Sequence, residues 1–525
     1  MSTQSASLPS AVRAHLDASE KALRQNDLNG ALQSARSAVQ LVPDHPDTLR
    51  QIAVALSAHG PSPDALTYID RAILLRPSDP NLFTTRAIVL EVNGQRDESI
   101  ASFRRASAAA PMSVAHLYNL GRALSKFAAD ESLIVLDRAL ALDPDHRGVR
   151  ALKSKVLRQS GRSEEALAEY RQLLARDPND IDVWSAMATL NRKQFTDDEL
   201  LEFERFDRDP SLSLEARVRV AFTLGKIYEV RARFAEAYSA FTRANALVRT
   251  QMPWDAGVFS TQVGSILKAF DKPIDRASTQ QGEGIIFIIS LPRSGSTLTE
   301  QILAAHPLVD AGGESTDLFD VIAAEGARRK LPLARWAPHA TADDWKRLGE
   351  DYLARSMKWR SGKPFATDKC PINWLWAGAA FAMLPGARFV ECRRNILETA
   401  WSCFCHAFNG GAQGFSYDFE SIAAYARDHD RATEQWRTIY PSRIRTQVYE
   451  DLVVDTESQV NELLAFCGLE FDEACLRFYD VKRSVRTASA TQVREPMRKN
   501  TARTAKYGAL LDPLRSALGL PLFDG

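Results

Sequence analysis

The sequence predicts an α-helical repeat solenoid followed by an α/β domain with a central parallel sheet. Three observations predict it. Prolines at 43, 77, 111, 144 and 178 recur at intervals of 34, 34, 33 and 34 residues. A run of strand character, Ile285 to Ser290, passes through a short loop (Pro292 to Thr297) into a helical pattern. A second apolar run, Ala387-Arg-Phe-Val-Glu-Cys392, reads as another buried strand of the same sheet.

The repeat is legible in its small residues. Twelve positions before each proline stand Ala31, Ala65, Ser99, Ser132 and Ala166, and five before stand Ala38, Ala72, Ala106, Ala139 and Leu173. Gly60, Gly94 and Gly161 lie 17 before their prolines, where two helices of a repeat turn. A 34-residue period with small residues at close helix crossings resembles tetratricopeptide repeats, each helix pair burying its apolar face on the next. Leu224-Gly-Lys-Ile-Tyr228 with Ala237, Phe241 and Ala244 reads as a sixth unit. Asn191 to Ser213 departs from the period and predicts an irregular helix pair. The expected divisions are a repeat array over 1–251, a connecting helix and linker over 252–282, and the α/β domain over 283–525.

Composition excludes several classes. With 66 basic and 66 acidic residues the net charge is zero, which disfavours a general nucleic-acid or membrane-surface binder. No run approaches the ~18 apolar residues of a membrane span, and Met1 to Ser10 lacks the basic start and apolar core of a secretory signal, so a cytoplasmic location is expected. The six cysteines (370, 392, 403, 405, 467, 475) show no zinc-like spacing and read as reduced structural thiols. One segment is locally basic: Lys482, Arg483, Arg486, Arg494, Arg498, Lys499, Arg503 and Lys506 stand against Glu495 alone, which suits a lid over a polyanion or a solvated loop.

The loop after the first strand has the chemistry of an anion cradle. A helix start offers unpaired N–H groups and partial positive charge. Gly295 lets the backbone close around a ligand, Arg293 supplies a forked donor, and Ser294, Ser296 and Thr297 add hydroxyls. It departs from the NTP-binding loop G-x-x-x-x-G-K-[ST], because Ser296 stands where the Lys belongs. The second strand ends in Arg393-Arg394 where an ATPase places an Asp for magnesium. Fixed cations in place of metal handling suit a donor whose transferred group is less charged than a phosphoryl, and no metal is expected.

These residues resemble the sulfotransferases that use 3′-phosphoadenosine 5′-phosphosulfate, especially the tyrosylprotein branch, over roughly Gly284 to Tyr507. Pro292-Arg-Ser-Gly-Ser-Thr-Leu298 is similar to the family's 5′-phosphosulfate loop, and Arg394 with Ser402, eight residues on, to its 3′-phosphate clamp. The resemblance implies Glu314, after Gly312-Gly313, as the base that removes the acceptor's proton. It implies Lys369, in Ala366-Thr-Asp-Lys-Cys-Pro371, as the group steadying the bridging oxygen, and Ser489 as a donor to the leaving group. Tyr449, in Val448-Tyr-Glu-Asp-Leu-Val453, would contact the donor, and Arg503 would stand on the 3′-phosphate side. Thr504 departs from the Trp usual in relatives. Each assignment has a structural alternative: Glu314 as a helix-start acid, Lys369 as a turn lysine. His306 reads as structural and His406 as packing, so the carboxylate rather than a histidine is the expected base. Trp374, Trp376, Trp401, Phe404 and Phe408 read most simply as core, with Asp368 and Asn373 unassigned.

The implied activity is sulfuryl transfer from 3′-phosphoadenosine 5′-phosphosulfate to a hydroxyl acceptor: a peptide tyrosine by the carboxylate base and the repeat groove, with a glycan or small molecule as alternatives. The repeat array would hold a protein partner, self-associate or brace the enzyme. A metal-dependent nucleotide kinase or ATPase, and an inactive repeat scaffold, are the competing readings.

Overall fold

The computed structural model describes residues 8–125, 127–190, 195–274, 280–408, 411–481, 497 and 502–524. The chain divides into two compact units, Met1–Gln194 and Phe195–Gly525.

In the first unit helices pair in sequence: α1 (Ser10–Arg24) with α2 (Leu28–Leu41), α3 (Pro46–Ala58) with α4 (Pro63–Leu75), and α5 (Pro80–Val92) with α6 (Arg96–Ala109). Then α7 (Val114–Leu124) pairs with α8 (Ala129–Leu142) and α9 (Arg147–Gln159) with α10 (Ser163–Arg176), followed by α11 (Ile181–Leu190). Pro46, Pro63 and Pro80 open their helices, where the absent N–H costs nothing. The alanines and serines of the 34-residue pattern are all buried, while Gly60, Gly94 and Gly161 lie at the turns with positive φ. Where the small residue is a serine, its hydroxyl reaches across the crossing: Ser99 Oγ donates to the Ala87 carbonyl at 2.8 Å and Ser132 Oγ to that of Gly121 at 2.7 Å. A side chain at Gly121 would put its Cβ 2.7 Å from Leu136, so the close approach requires glycine there.

The second unit opens with helices. α12 (Asp197–Asp207) starts at a capping box between Thr196 and Glu199. α13 (Leu214–Val230) and α14 (Phe234–Arg249) form the sixth repeat-like hairpin, with Gly225 pressed on Phe241, and α15 (Ala256–Ala269) follows. The compact division falls at 194/195, inside the stretch Asn191 to Ser213 that breaks the repeat period, and places α12 to α15 in the second unit. The reason is packing. Tyr238 of α14 stacks on Trp401 at 6.0 Å, Asn245 donates to the Phe404 carbonyl, and Phe259 of α15 stacks on Tyr425 at 5.2 Å. The segment expected as a connecting helix and linker holds α15, which buries Val263, Ile266 and Leu267.

The sheet holds five parallel strands in the order β2-β3-β1-β4-β5: β1 (Ile285–Ser290), β2 (Val309–Ala311), β3 (Phe365–Asp368), β4 (Arg388–Arg393) and β5 (Ile444–Val448). Between β1 and β2 lies α16 (Ser296–Ala305); between β2 and β3 lie α17 (Asp317–Arg329), α18 (Leu333–Trp336) and α19 (Ala342–Ser356). α20 (Asn373–Met383) leads to β4, and α21 (Ile396–Phe404) and α22 (Phe419–Ile439) to β5. α23 (Tyr449–Val454), α24 (Thr456–Cys467) and α25 (Asp512–Leu518) follow the last strand. One face buries Ile286, Ile288 and Val390 against Ile302 and Leu303 of α16 and Leu463 and Leu464 of α24. On the other, Phe287 stacks on Phe389 at 4.8 Å and meets Tyr352 of α19, with Phe381 of α20 completing the layer. Continuous apolar strands are what a sheet covered on both faces demands. After β1 the chain passes outward to β2, and after β3 it returns across β1 to β4. The ends of β1 and β3 therefore form the switch point where such sheets open a crevice.

Candidate functional site

Each of the five strands ends, at its C-terminal edge, in one of the sequence-nominated residues or the loop that carries it. In spatial order these are Glu314 beyond β2, Lys369 after β3, Arg293 after β1, Arg394 after β4 and Tyr449 after β5.

The loop after β1 is held tightly. Gly295 has φ of +94° and caps α16, and a Cβ there would stand 3.0 Å from the Tyr449 ring. Arg293 itself has φ of +71°, a conformation that a non-glycine residue holds only when its surroundings enforce it. Its Nε donates to Ser402 Oγ at 3.1 Å, and the Cys403 thiol donates to the Pro292 carbonyl at 3.3 Å. Ser294, Ser296 and Thr297 are buried in the loop and the first turn. Ser402, read from sequence as a partner of Arg394, thus touches Arg293 directly.

Arg394 lies over the Tyr449 ring at 4.9 Å, and its Nη2 is 3.8 Å from Glu398 Oε2. Arg393 is otherwise engaged, with Glu391 at 2.7 Å and Asp430 at 2.9 Å. Burial holds the Arg293 guanidinium below its ordinary pKa, and Arg503 and Arg394 add repulsion, so three guanidiniums converge here. Arg503 Nη1 bonds both carboxylate oxygens of Glu229 on α13, at 3.1 and 2.9 Å. Thr504, the departure noted in the sequence, donates to Glu398 Oε1 through its N–H (2.8 Å) and its hydroxyl (2.5 Å).

On the other side of β1, Lys369 is fully buried and its Nζ meets Glu314 Oε1 at 2.5 Å, while the Glu314 side chain is half exposed. The turn that delivers Glu314 extends the β2–β3 ladder: Gly312 N–H donates to the Thr367 carbonyl and Lys369 N–H to that of Gly313, each at 2.9 Å. A Cβ at Gly312 would lie 2.5 Å from the Thr367 carbonyl and 2.7 Å from Trp359, so only glycine fits. Buried Glu300 of α16 accepts from Gly313 N–H at 2.9 Å and from Thr367 Oγ1 at 3.3 Å, which ties the anion-loop helix to this turn. Downstream, buried Asp317 accepts from Ser315, Lys358 and Trp359.

Behind Lys369, Asp368 accepts from Tyr352 Oη (2.8 Å) and Asn373 Nδ2 (3.2 Å). Burial, with Asp317 and Glu300 nearby, pushes its carboxyl up to about 7. His306 bonds Leu308 N–H and the Glu470 carbonyl, a structural role. His406 packs on Phe408 at 4.7 Å, and burial with the charges of Arg293 and Lys226 lowers its pKa to about 3. Trp374, Trp376, Trp401 and Phe404 are core. All six cysteines are free thiols. Among the described residues, no group of three or more His, Cys, Asp or Glu is arranged to hold a metal, and no helix is long and apolar enough to cross a membrane. Ser489 and the basic residues 482, 483, 486, 494, 498 and 499 lie outside the described residues.

Sequence reasoning passed over Glu300, Glu398 and Glu229. Glu398 carried a signal, four residues after Arg394 on one helix face. Glu300 and Glu229 meet their partners only through the tertiary fold.

Comparison with known proteins agrees with this architecture. Residues 285–473 match the sulfotransferase family, and residues 84–147 and 123–190 match tetratricopeptide repeats. An uncharacterized protein of Aquifex aeolicus (strain VF5) is 28% identical over 410 residues, covering 73% of this chain and 52% of that protein, so the match spans about half the relative's length. A tetratricopeptide repeat protein of Parabacteroides merdae aligns at 14% identity and a TM-score of 0.33, over 46% of this chain and 94% of that one. A thermophilic repeat protein of Thermus thermophilus aligns at 19% and 0.30, over 34% and 98%. Residues 84–190 thus carry tetratricopeptide repeats and residues 285–473 a sulfotransferase-family domain, joined in one chain.

Proposed function

We propose that the second unit transfers a sulfuryl group from 3′-phosphoadenosine 5′-phosphosulfate to a hydroxyl acceptor. The observation that carries this reading is the distribution of cations and one carboxylate along the C-terminal edge of the sheet. Three guanidiniums gather at the ends of β1 and β4, and a Lys–Glu pair stands at the ends of β3 and β2.

The residues fit such a donor. The strained loop of Arg293, Ser294, Gly295, Ser296 and Thr297 would hold its 5′ end through backbone N–H groups, hydroxyls and the forked cation. Arg394, Ser402, Tyr449 and Arg503 would hold the 3′ end. The donor supplies an activated sulfuryl group. Glu314 takes the acceptor's proton as the acceptor oxygen bonds to sulfur and the bond from sulfur to the 5′-phosphate oxygen breaks. Lys369 and Arg293 neutralise the charge left on that phosphate, with Ser489 as a further donor to it. Products are the sulfate ester and 3′,5′-bisphosphoadenosine. The half exposure of Glu314 leaves room for a substrate to reach its carboxylate, as a base requires.

A peptide tyrosine is the acceptor we favour, because the repeats offer a surface for a polypeptide. We place the protein in the cytoplasm. The experiment is incubation of the full chain with ³⁵S-labelled donor and cell extract, beside Glu314→Gln. Label entering protein in a Glu314-dependent way supports the reading. Absence of any labelled acceptor, together with no calorimetric binding of 3′,5′-bisphosphoadenosine, refutes it.

A further inference from the structure

The segment 503–507 is fastened by two carboxylates from different layers, buried Glu398 and partly buried Glu229. At one end Glu398 of α21 accepts from the N–H groups of Arg503 and Thr504 and from the Thr504 hydroxyl, and the same carboxylate lies 3.8 Å from Arg394. At the other end Glu229 of α13 accepts from Arg503 Nη1 and from Tyr507 Oη at 2.9 Å. The Tyr507 ring wedges between Trp401 (4.7 Å) and Phe234 of α14 (5.1 Å). Glu229 belongs to the repeat-like hairpin and lies outside the residues that match the sulfotransferase family.

The three arginines are held by different groups. Arg503 faces Glu229 and Arg394 faces Glu398, while Arg293 donates to the Ser402 hydroxyl and feels repulsion from both other arginines. An arginine side chain left to itself would keep its rotamer freedom and turn toward solvent. For Arg503, two contacts to one carboxylate, set in a partly buried position, oppose that.

We propose that Glu229 is a positioning residue for the donor site: it holds the Arg503 guanidinium in place through both of its carboxylate oxygens, so that the anion pocket is completed from the helical layer. This rests on the donor reading above. It makes the repeat-like hairpin α13–α14 an integral part of the nucleotide site.

The test uses the full chain and calorimetry with two probes, 3′,5′-bisphosphoadenosine and AMP, which lacks the 3′-phosphate. Because Arg503 is stitched to the Glu398–Arg394 side, Glu229→Gln should weaken the bisphosphate by about ten-fold, the worth of one charged hydrogen bond, and leave AMP nearly unchanged. The double variant Glu229→Gln/Arg503→Ala should bind no more weakly than Arg503→Ala alone, since both act on one contact. Tyr507→Phe removes the other bond to Glu229, spares the arginine, and should keep both affinities; it also guards against a Glu229→Gln chain that fails to fold. Equal loss for both probes, additive losses in the double variant, or a Tyr507→Phe that mimics Glu229→Gln would each overturn the proposal while leaving the donor reading intact. A wild-type chain that binds neither probe would overturn both.

Discussion

The Lys369–Glu314 pair makes an asymmetric prediction, because one partner is sealed in the protein and the other is half in water. At 2.5 Å, two unit charges attract by about 2 kcal/mol in bulk water and about 7 kcal/mol at an effective dielectric near 20. Glu314 is solvated enough to pull the worth of the pair toward the lower figure. Lys369→Met removes the buried charge, fills its volume, and lets Glu314 rehydrate, so stability should change by no more than about 1 kcal/mol. Glu314→Gln strands an ammonium in the interior; breaking buried pairs costs about 3–5 kcal/mol, and the exposure of Glu314 reduces the expectation to about 2–3. Turnover should nevertheless fall in both, by about 10²–10³-fold for Lys369→Met through lost charge stabilisation and about 10²–10⁴-fold for Glu314→Gln through the lost base. Urea unfolding read by tryptophan fluorescence separates these effects, since eight of the nine tryptophans lie in the second unit. Formation of 3′,5′-bisphosphoadenosine gives the activity. If Lys369→Met proved the more destabilising substitution, or kept full turnover, the reasoning fails.

Three further outcomes follow from the geometry. Arg394→Ala should weaken 3′,5′-bisphosphoadenosine more than AMP in calorimetry; equal effects would remove Arg394 from the 3′ end. Gly312→Ala forces a Cβ to within 2.5 Å of a backbone carbonyl, so it should cost about 1–3 kcal/mol and displace Glu314, which chemical denaturation and loss of turnover would reveal. The Asp368 carboxyl titrates near 7 in the folded chain and near ~3.9 unfolded. Between those values the folded state holds the extra proton, so stability falls as pH rises from about 4 to 7, by up to about 4 kcal/mol at about 1.4 per pH unit. Asp368→Asn should flatten that slope in unfolding curves taken across the range, and an unchanged slope would assign it to other groups.

Local features of the chain announced themselves in the sequence because their causes are local. The spacing of Pro43 to Pro178 and the buried alanines between reflect one crossing geometry repeated, and the strand–loop–helix at Ile285 to Leu303 is set by adjacent residues. The break in the period at Asn191 marked where the first unit ends, but the place of α15 could not be read, because it has the composition of any amphipathic helix and only its packing on Tyr425 and Trp374 assigns it to the sheet domain. Likewise the left-handed Arg293 could not be read, since nothing in the side chain asks for positive φ; the contacts that hold it and Pro292 come from Ser402 and Cys403, more than a hundred residues on. The partnership of Arg503 with Glu229 spans 274 residues and has no local trace.

The central position of β1 has a consequence for how the protein comes into being. The first strand of the sheet leaves the ribosome carrying its anion loop, yet its neighbours β3 and β4, the ring of Tyr449 that backs Gly295, and Arg503 all arrive later. Until the stretch around Arg503 is synthesised, Glu229 and Glu398 stand without the partners that Arg503, Thr504 and Tyr507 bring, and the third guanidinium is missing. Nascent or truncated chains therefore carry the loop without the groups that surround it, and on the proposed reading the capacity to hold a nucleotide is acquired late in the polypeptide's synthesis.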